Sequence, residues 1–108
     1  MQPQIPEPGF YYHYKHSGAS VYDYAYEVLN IAHHTEVDDF DAGRMVIYRP
    51  LYKTAKVYQA GRHWDARPLS MFMEQVTKDG KTFPRFSKIS DPAVIAELQK
   101  MRAEMYGG

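Results

Sequence analysis

From Phe10 to Lys15 the chain alternates, with Phe10, Tyr12 and Tyr14 on one side and Tyr11, His13 and Lys15 on the other. That period of two predicts a half-buried strand. A second strand is predicted from Tyr22 to Ala32, where Tyr22, Tyr24, Tyr26 and Val28 share a face opposite Asp23 and Glu27. The intervening loop contains Ser17-Gly18 and lets the two segments pair as a hairpin. Asp38, Asp39, Asp41 and Gly43 mark a further loop, and Met45 to Arg49 is a β-branched and aromatic run that Pro50 stops. Leu51 to Val57 reads as a strand, Gly61 as the start of a turn, and Pro68 to Phe72 as one helical turn. Met73 to Thr77 then faces Thr82 to Phe86 across Asp79-Gly80, a dipeptide that suits the two positive φ angles of a tight hairpin. Pro84 lacks an amide donor and marks an edge strand.

The period changes at the C-terminal end. Asp91 or Ser90 can cap a helix with Pro92 at its first position, and Val94, Leu98, Met101 and Met105 follow at spacings of four, three and four. This apolar stripe is expected to cover an open side of the sheet, a dimer contact being the alternative. At the other end Pro3, Pro6 and Pro8 describe an extended arm that finishes in a Pro8-Gly9 turn. The expected organisation is therefore an arm over 1–8, a β-domain over 9–89, and a helix with its tail over 90–108.

Composition narrows the function more than the fold. With 108 residues there is room for one core and no second one of normal size. No cysteine is present, so a disulfide framework, a thiolate metal site and a cysteine nucleophile are all excluded. No apolar run is long enough to cross a bilayer, and Met1 to Pro8 has neither a basic start nor an apolar signal core, so no membrane partner and a cytoplasmic location are expected by default. Lys and Arg balance Asp and Glu at 13 each, which leaves no global positive field to hold duplex DNA. The unusual feature is ten Tyr, five Phe and one Trp, rings that build the core of a small sheet or, where several share an exposed face, a binding surface.

A family resemblance is carried by ordered motifs. Pro8-Gly9-Phe10-Tyr11 with His13-Tyr14-Lys15, then Tyr26-Glu27-Val28, Ala32, His34-Thr35-Glu36, Val46-Ile47-Tyr48-Arg49, Leu51-Tyr52, Arg67-Pro68-Leu69, Met71-Phe72, Asp79-Gly80 and Pro84-Arg85-Phe86 resemble the domain of unknown function 1653 family over about residues 8 to 87. The resemblance implies a small antiparallel barrel of the Src-homology-3 type, mainly β, in a short bacterial or phage protein without an established activity. The chain departs from the pattern in longer stretches between Lys15 and Tyr26 and between Tyr52 and Trp64. Trp64 also stands one residue further from Arg67-Pro68 than in the family, which turns its ring to the opposite face unless a bulge absorbs the shift. The helix after Ser90 lies outside the resemblance.

No enzyme class is indicated. His33 and His34 are strand neighbours whose rings point to opposite faces, so no shared metal is expected. The serines lack the strand, elbow and helix context of a hydrolase nucleophile, and no glycine-rich loop cradles a phosphate, so no cofactor is expected. Gly107-Gly108 reads as a frayed end. What remains is basic and aromatic: His13, Lys15, Tyr48, Arg49, Trp64 and Arg67 form a candidate ligand-binding set, since Arg grips phosphate or carboxylate while Tyr or Trp stacks on a flat ring. The favoured reading is a non-enzymatic recognition module for a nucleotide-like small molecule or short single-stranded nucleic acid, acting as monomer or homodimer. The alternatives are an adaptor whose aromatic groove takes a peptide or protein partner, and a hydrolase-type enzyme using His13 or His34 as a base.

Overall fold

The computed structural model describes residues 5–18, 20–39, 42–52 and 64–106. Among them the chain is mainly β. Five strands form one antiparallel sheet: β1 (Gly9–His13), β2 (Ala25–His33), β3 (Arg44–Pro50), β4 (Asp65–Pro68) and β7 (Phe86–Lys88), in the order β4-β3-β2-β1-β7. A separate hairpin pairs β5 (Gln75–Lys78) with β6 (Lys81–Pro84), and two helices, α1 (Leu69–Phe72) and α2 (Pro92–Tyr106), complete the order. None of these helices is long and apolar enough to cross a membrane.

The tightest turn follows local chemistry. Asp79 and Gly80 both have positive φ, 54° and 76°, the pair a two-residue hairpin requires, and the Thr77 and Thr82 hydroxyls bond across it at 3.0 Å. Gly80 takes its angle without steric cost. Asp91 caps α2 by accepting the Ala93 amide at 2.9 Å, and Pro92 occupies the first helical position.

The sheet buries both faces, by different means. On one face Tyr11, Val28, Val46, Tyr48, Leu69, Phe72 and Phe86 form a cluster; on the other Phe10, Ala25, Leu51, Ile89 and Leu98 form a second. Strand alternation sorts Phe10 from Tyr11 and Ala25 from Tyr26. A bulge then intervenes in β2: Val28 pairs with Tyr48 but Asn30 with Ile47, so Leu29 is the extra residue and Ile31, not Asn30, returns to the first cluster. The first cluster is concave. Strands three places apart lie roughly 14 Å from each other in a flat sheet, yet the Tyr48 and Phe86 rings, on β3 and β7, are 6.1 Å apart. Phe72 closes the inner face from α1, stacked on Phe86 at 4.2 Å with planes 3° apart.

The outer face belongs to α2. Leu98 is fully buried, and Val94, Ile95, Met101 and Tyr106 pack beside it, so the expected apolar stripe does cover the sheet. Ile95 and Tyr106 extend that stripe. A charged clamp adds to it: the buried Glu27 carboxylate accepts from Arg49 Nε at 2.9 Å and from Arg102 at 2.8 Å. Arg49 also lies 4.1 Å from the centre of the Tyr106 ring, whose hydroxyl donates to the Pro50 carbonyl at 2.7 Å.

Two expectations need correction. β1 ends at His13, so Lys15 lies in a turn and the alternation does not reach it. The second strand starts at Ala25, because residues 21–24 form a turn in which Tyr24 adopts φ 54°; Tyr22 packs on the outer face under α2 while Tyr26 and Val28 face inward. The sheet is open among the described residues, β4 and β7 being edges that share no ladder. The strand expected over Leu51 to Val57 begins with two residues in a bend, and its remainder, with the Gly61 turn, lies outside the described residues.

Leu98→Asp is expected to destabilise the fold by several kcal/mol, since it places a charge where the side chain is fully enclosed. Glu27→Leu should cost about 3–5 kcal/mol by stranding two arginines, and double substitution with Arg102→Met should recover part of that loss. Chemical denaturation of the variants measures both; an unchanged midpoint for Leu98→Asp with conversion of a dimer to a monomer would assign α2 to subunit contact instead.

Candidate ligand-binding site

At the end of the sheet where β1 finishes, the inner face becomes a row of rings. His13 lies 5.1 Å from Phe86, edge to face, 4.4 Å from Tyr14 and 5.6 Å from Tyr24. Strand pairing causes this, since His13 is the Cα partner of Phe86 in the β1–β7 register. Tyr26 and Tyr52 continue the row, their hydroxyls 2.6 Å apart, and Tyr24 stands 5.9 Å from Tyr52. Tyr24 holds its place with a left-handed backbone, costly for a residue with a bulky side chain. Burial raises the Tyr26 hydroxyl pKa well above its ordinary value, and the Tyr52 contact adds to it, so this hydroxyl stays protonated.

Cations surround the row. Arg67 extends from β4 along the inner face, its Nε donating to the Tyr48 hydroxyl at 3.3 Å and its guanidinium 5.7 Å from the Phe86 ring. No carboxylate pairs with it among the described residues. Arg85 sits 5.9 Å from the Tyr14 ring and pairs with Glu74. Its Nε is buried without a hydrogen-bond partner among the described residues. The Lys15 amide donates to His13 Nδ1 at 3.2 Å, which in the neutral ring leaves the proton on Nε2. Burial, followed by the charges of Arg85, Arg67 and Lys15, pulls the His13 pKa down from 6.5 to about 4. An imidazole so placed is a neutral donor at pH 7, ringed by positive charge.

Of the six residues singled out in the sequence, the structure brings together His13, Lys15, Tyr48 and Arg67. Tyr48 is buried, its ring part of the core and its hydroxyl turned to Arg67. Arg49 is not with them. It is the next residue along β3 from Tyr48, so it points to the outer face, where Glu27 and Tyr106 consume it. Trp64 is 64% exposed and precedes β4 at an odd spacing from Arg67, so the strand's alternation directs it away from the inner face. Three contributors lie outside the six nominated from the sequence: Arg85, Tyr24 and Phe86. Arg85 and Phe86 were visible as an Arg-Phe pair after Pro84, but nothing local tells which strand face meets β4; Tyr24 carries no signal, because a Tyr seldom takes positive φ.

A second concavity lies on the far side of Phe86. It is an open cleft of about 660 Å³ between the outer edge of β7 and the β5–β6 hairpin, floored by Tyr11, Phe72 and Phe86 and bounded by Pro6, Glu7 and Lys88. The Tyr11 hydroxyl donates to the Glu7 carbonyl at 2.8 Å and Lys88 holds the Glu7 carboxylate at 2.6 Å, fixing the arm at its rim.

These features define a class: a small antiparallel β module whose sheet curls around an aromatic inner face edged with arginine. The chain belongs to the family described as Protein of unknown function (DUF1653), whose model matches residues 9–88. It is similar to the crystal structure of a DUF1653 protein from Bordetella bronchiseptica, at 29% identity and a TM-score of 0.56, over 77% of this chain and 86% of that one. Comparison with curated proteins gives no match. The family match ends before α2, so the helix and Arg102 lie beyond the matched span, while Glu27 and Arg49, the residues that Arg102 joins, lie within it.

The His13 shift has a signed consequence. Its folded pKa lies below the unfolded one, so between these values the unfolded chain binds more protons, and stability falls as pH drops from about 6.5 to about 4. Proton NMR of the imidazole should show a midpoint near 4, and Arg67→Ala should move it upward; a midpoint near 6.5 would place His13 in bulk solvent.

Proposed function

We propose that the inner face is a recognition site for an anionic ligand carrying a flat ring, a nucleotide-like small molecule or a short single-stranded nucleic-acid segment, and that the protein acts without catalysing a reaction. The observation that carries this reading is Arg67, a half-buried guanidinium set among Tyr48, Phe86 and the His13 row with no carboxylate to neutralise it among the described residues. An uncompensated arginine in partly apolar surroundings is costly by itself and is relieved by an incoming anion. Tyr14, Tyr24 and Tyr52 offer faces on which a base can stack. A His-based hydrolase is less well supported, because no carboxylate orients the His13 ring among the described residues. We read the sheet as a barrel of the Src-homology-3 type in which Arg67, reaching from edge strand β4 to Phe86 on edge strand β7, spans the gap by side-chain contact.

The adaptor reading has its own supporting observation, the cleft beside β7. This edge pairs with β1 on one side only, and the extended arm with buried Pro6 already lies at the rim, so a Pro-containing peptide would use the same apolar floor.

A thermal-shift screen of mononucleotides, cyclic nucleotides, short RNA and DNA, and Pro-rich peptides separates the two. A ligand present at about a hundred times its Kd adds about 2.7 kcal/mol, which raises the melting point of a domain this small by roughly 10–20 °C. Nucleotides should give a shift that Arg67→Ala removes while the unliganded melting point stays within a few degrees. A shift from peptides alone, unaffected by Arg67→Ala, replaces the recognition site with the adaptor.

A further inference from the structure

The donors around His13 restrict the kind of anion as well as its sign, provided that the inner face is the recognition site proposed above. His13 has its Nδ1 occupied by the Lys15 amide, and its Nε2–H has no hydrogen-bond partner among the described residues. Arg67 lies over the Phe86 end of the Phe86–His13–Tyr14 row and Arg85 over the Tyr14 end, so two guanidiniums flank one imidazole. Among the described residues three cations border the row with Lys15 counted, and Glu74 neutralises one of them, Arg85. Two positive charges are therefore left for a ligand, beside a ring that donates without adding a third.

We infer that the ligand presents a terminal phosphate monoester to His13, Arg67 and Arg85, and that a phosphodiester inside a strand is discriminated against. A monoester at neutral pH carries between about one and a half and two negative charges and three terminal oxygens, enough to take one bond from each of three donors. A diester carries one charge and two free oxygens, so one donor is left unpaired and one positive charge uncompensated. The neutral imidazole matters here: it supplies a hydrogen bond to the third oxygen where a fourth cation would repel the other three. Tyr24, 5.6 Å from His13, and Tyr52, 5.9 Å from Tyr24, receive the base.

The test is calorimetric titration of the whole chain at pH 8 with adenosine and uridine 5′-monophosphates, their 5′-methyl phosphate esters, the free nucleosides and inorganic phosphate. The monophosphates should bind at least about tenfold more tightly than the methyl esters, the loss of one charge-assisted bond. Trinucleotides with and without a 5′-phosphate tell the two sources apart: binding only of the phosphorylated one at mononucleotide strength assigns the end of a strand, and weak binding of both assigns a free nucleotide. His13→Gln keeps an N–H donor and should remain within about threefold of the parent, whereas His13→Phe keeps the ring and should lose about tenfold. Melting curves of both variants confirm folding. Equal binding of ester and monophosphate, or an unaffected His13→Phe, overturns the inference and leaves the anion site standing. If no nucleotide binds and Arg67→Ala changes nothing, the site itself is withdrawn.

Discussion

The molecule is organised by the curl of one sheet around the stacked rings of Phe72 and Phe86. Phe86 sits on an edge strand and Phe72 on a one-turn helix beyond the opposite edge, so their contact draws the two ends of the sheet toward each other. Tyr48, Tyr26 and Tyr11 then fill the inside edge to face, the geometry aromatic quadrupoles favour. A flat sheet would leave these rings on an open surface. Curling turns them into a core at one end and, where β1 stops at His13, into the wall of the proposed site at the other.

The arginines show how burial and partner decide the role of one residue type. Arg49 and Arg67 belong to adjacent strands and face opposite sides of them. Arg49 meets Glu27 and becomes part of the clamp under α2, where removing either partner would strand a buried charge. Arg67 meets a tyrosine hydroxyl and a ring face, which orient the guanidinium without cancelling its charge. The first holds a helix in place; the second carries the charge on which the proposed anion site rests. Arg85 stands between them, ion-paired through one end of its guanidinium while its Nε stays unpartnered among the described residues.

The sequence by itself determined whatever depends on neighbours along the chain. Alternation placed the strands at Phe10 and Met45, Asp79-Gly80 fixed a hairpin, Pro68 to Phe72 gave a helical turn, and Asp91-Pro92 started a helix whose stripe through Leu98 had to be covered. The ordered motifs from Pro8 to Phe86 also sufficed to assign the family. Tertiary structure decided the rest. The bulge at Leu29 reversed the facing of β2, the left-handed Tyr24 delayed its start, and strand order brought Phe86 to His13. Whether Arg49 or Arg67 points inward depends on registers set by hydrogen bonds between segments far apart in the chain, and a slip of one residue exchanges the two faces. Local pattern carries no record of which strand lies next to which, so residues of the candidate site could be nominated from the sequence, but only the folded sheet shows which of them lie together.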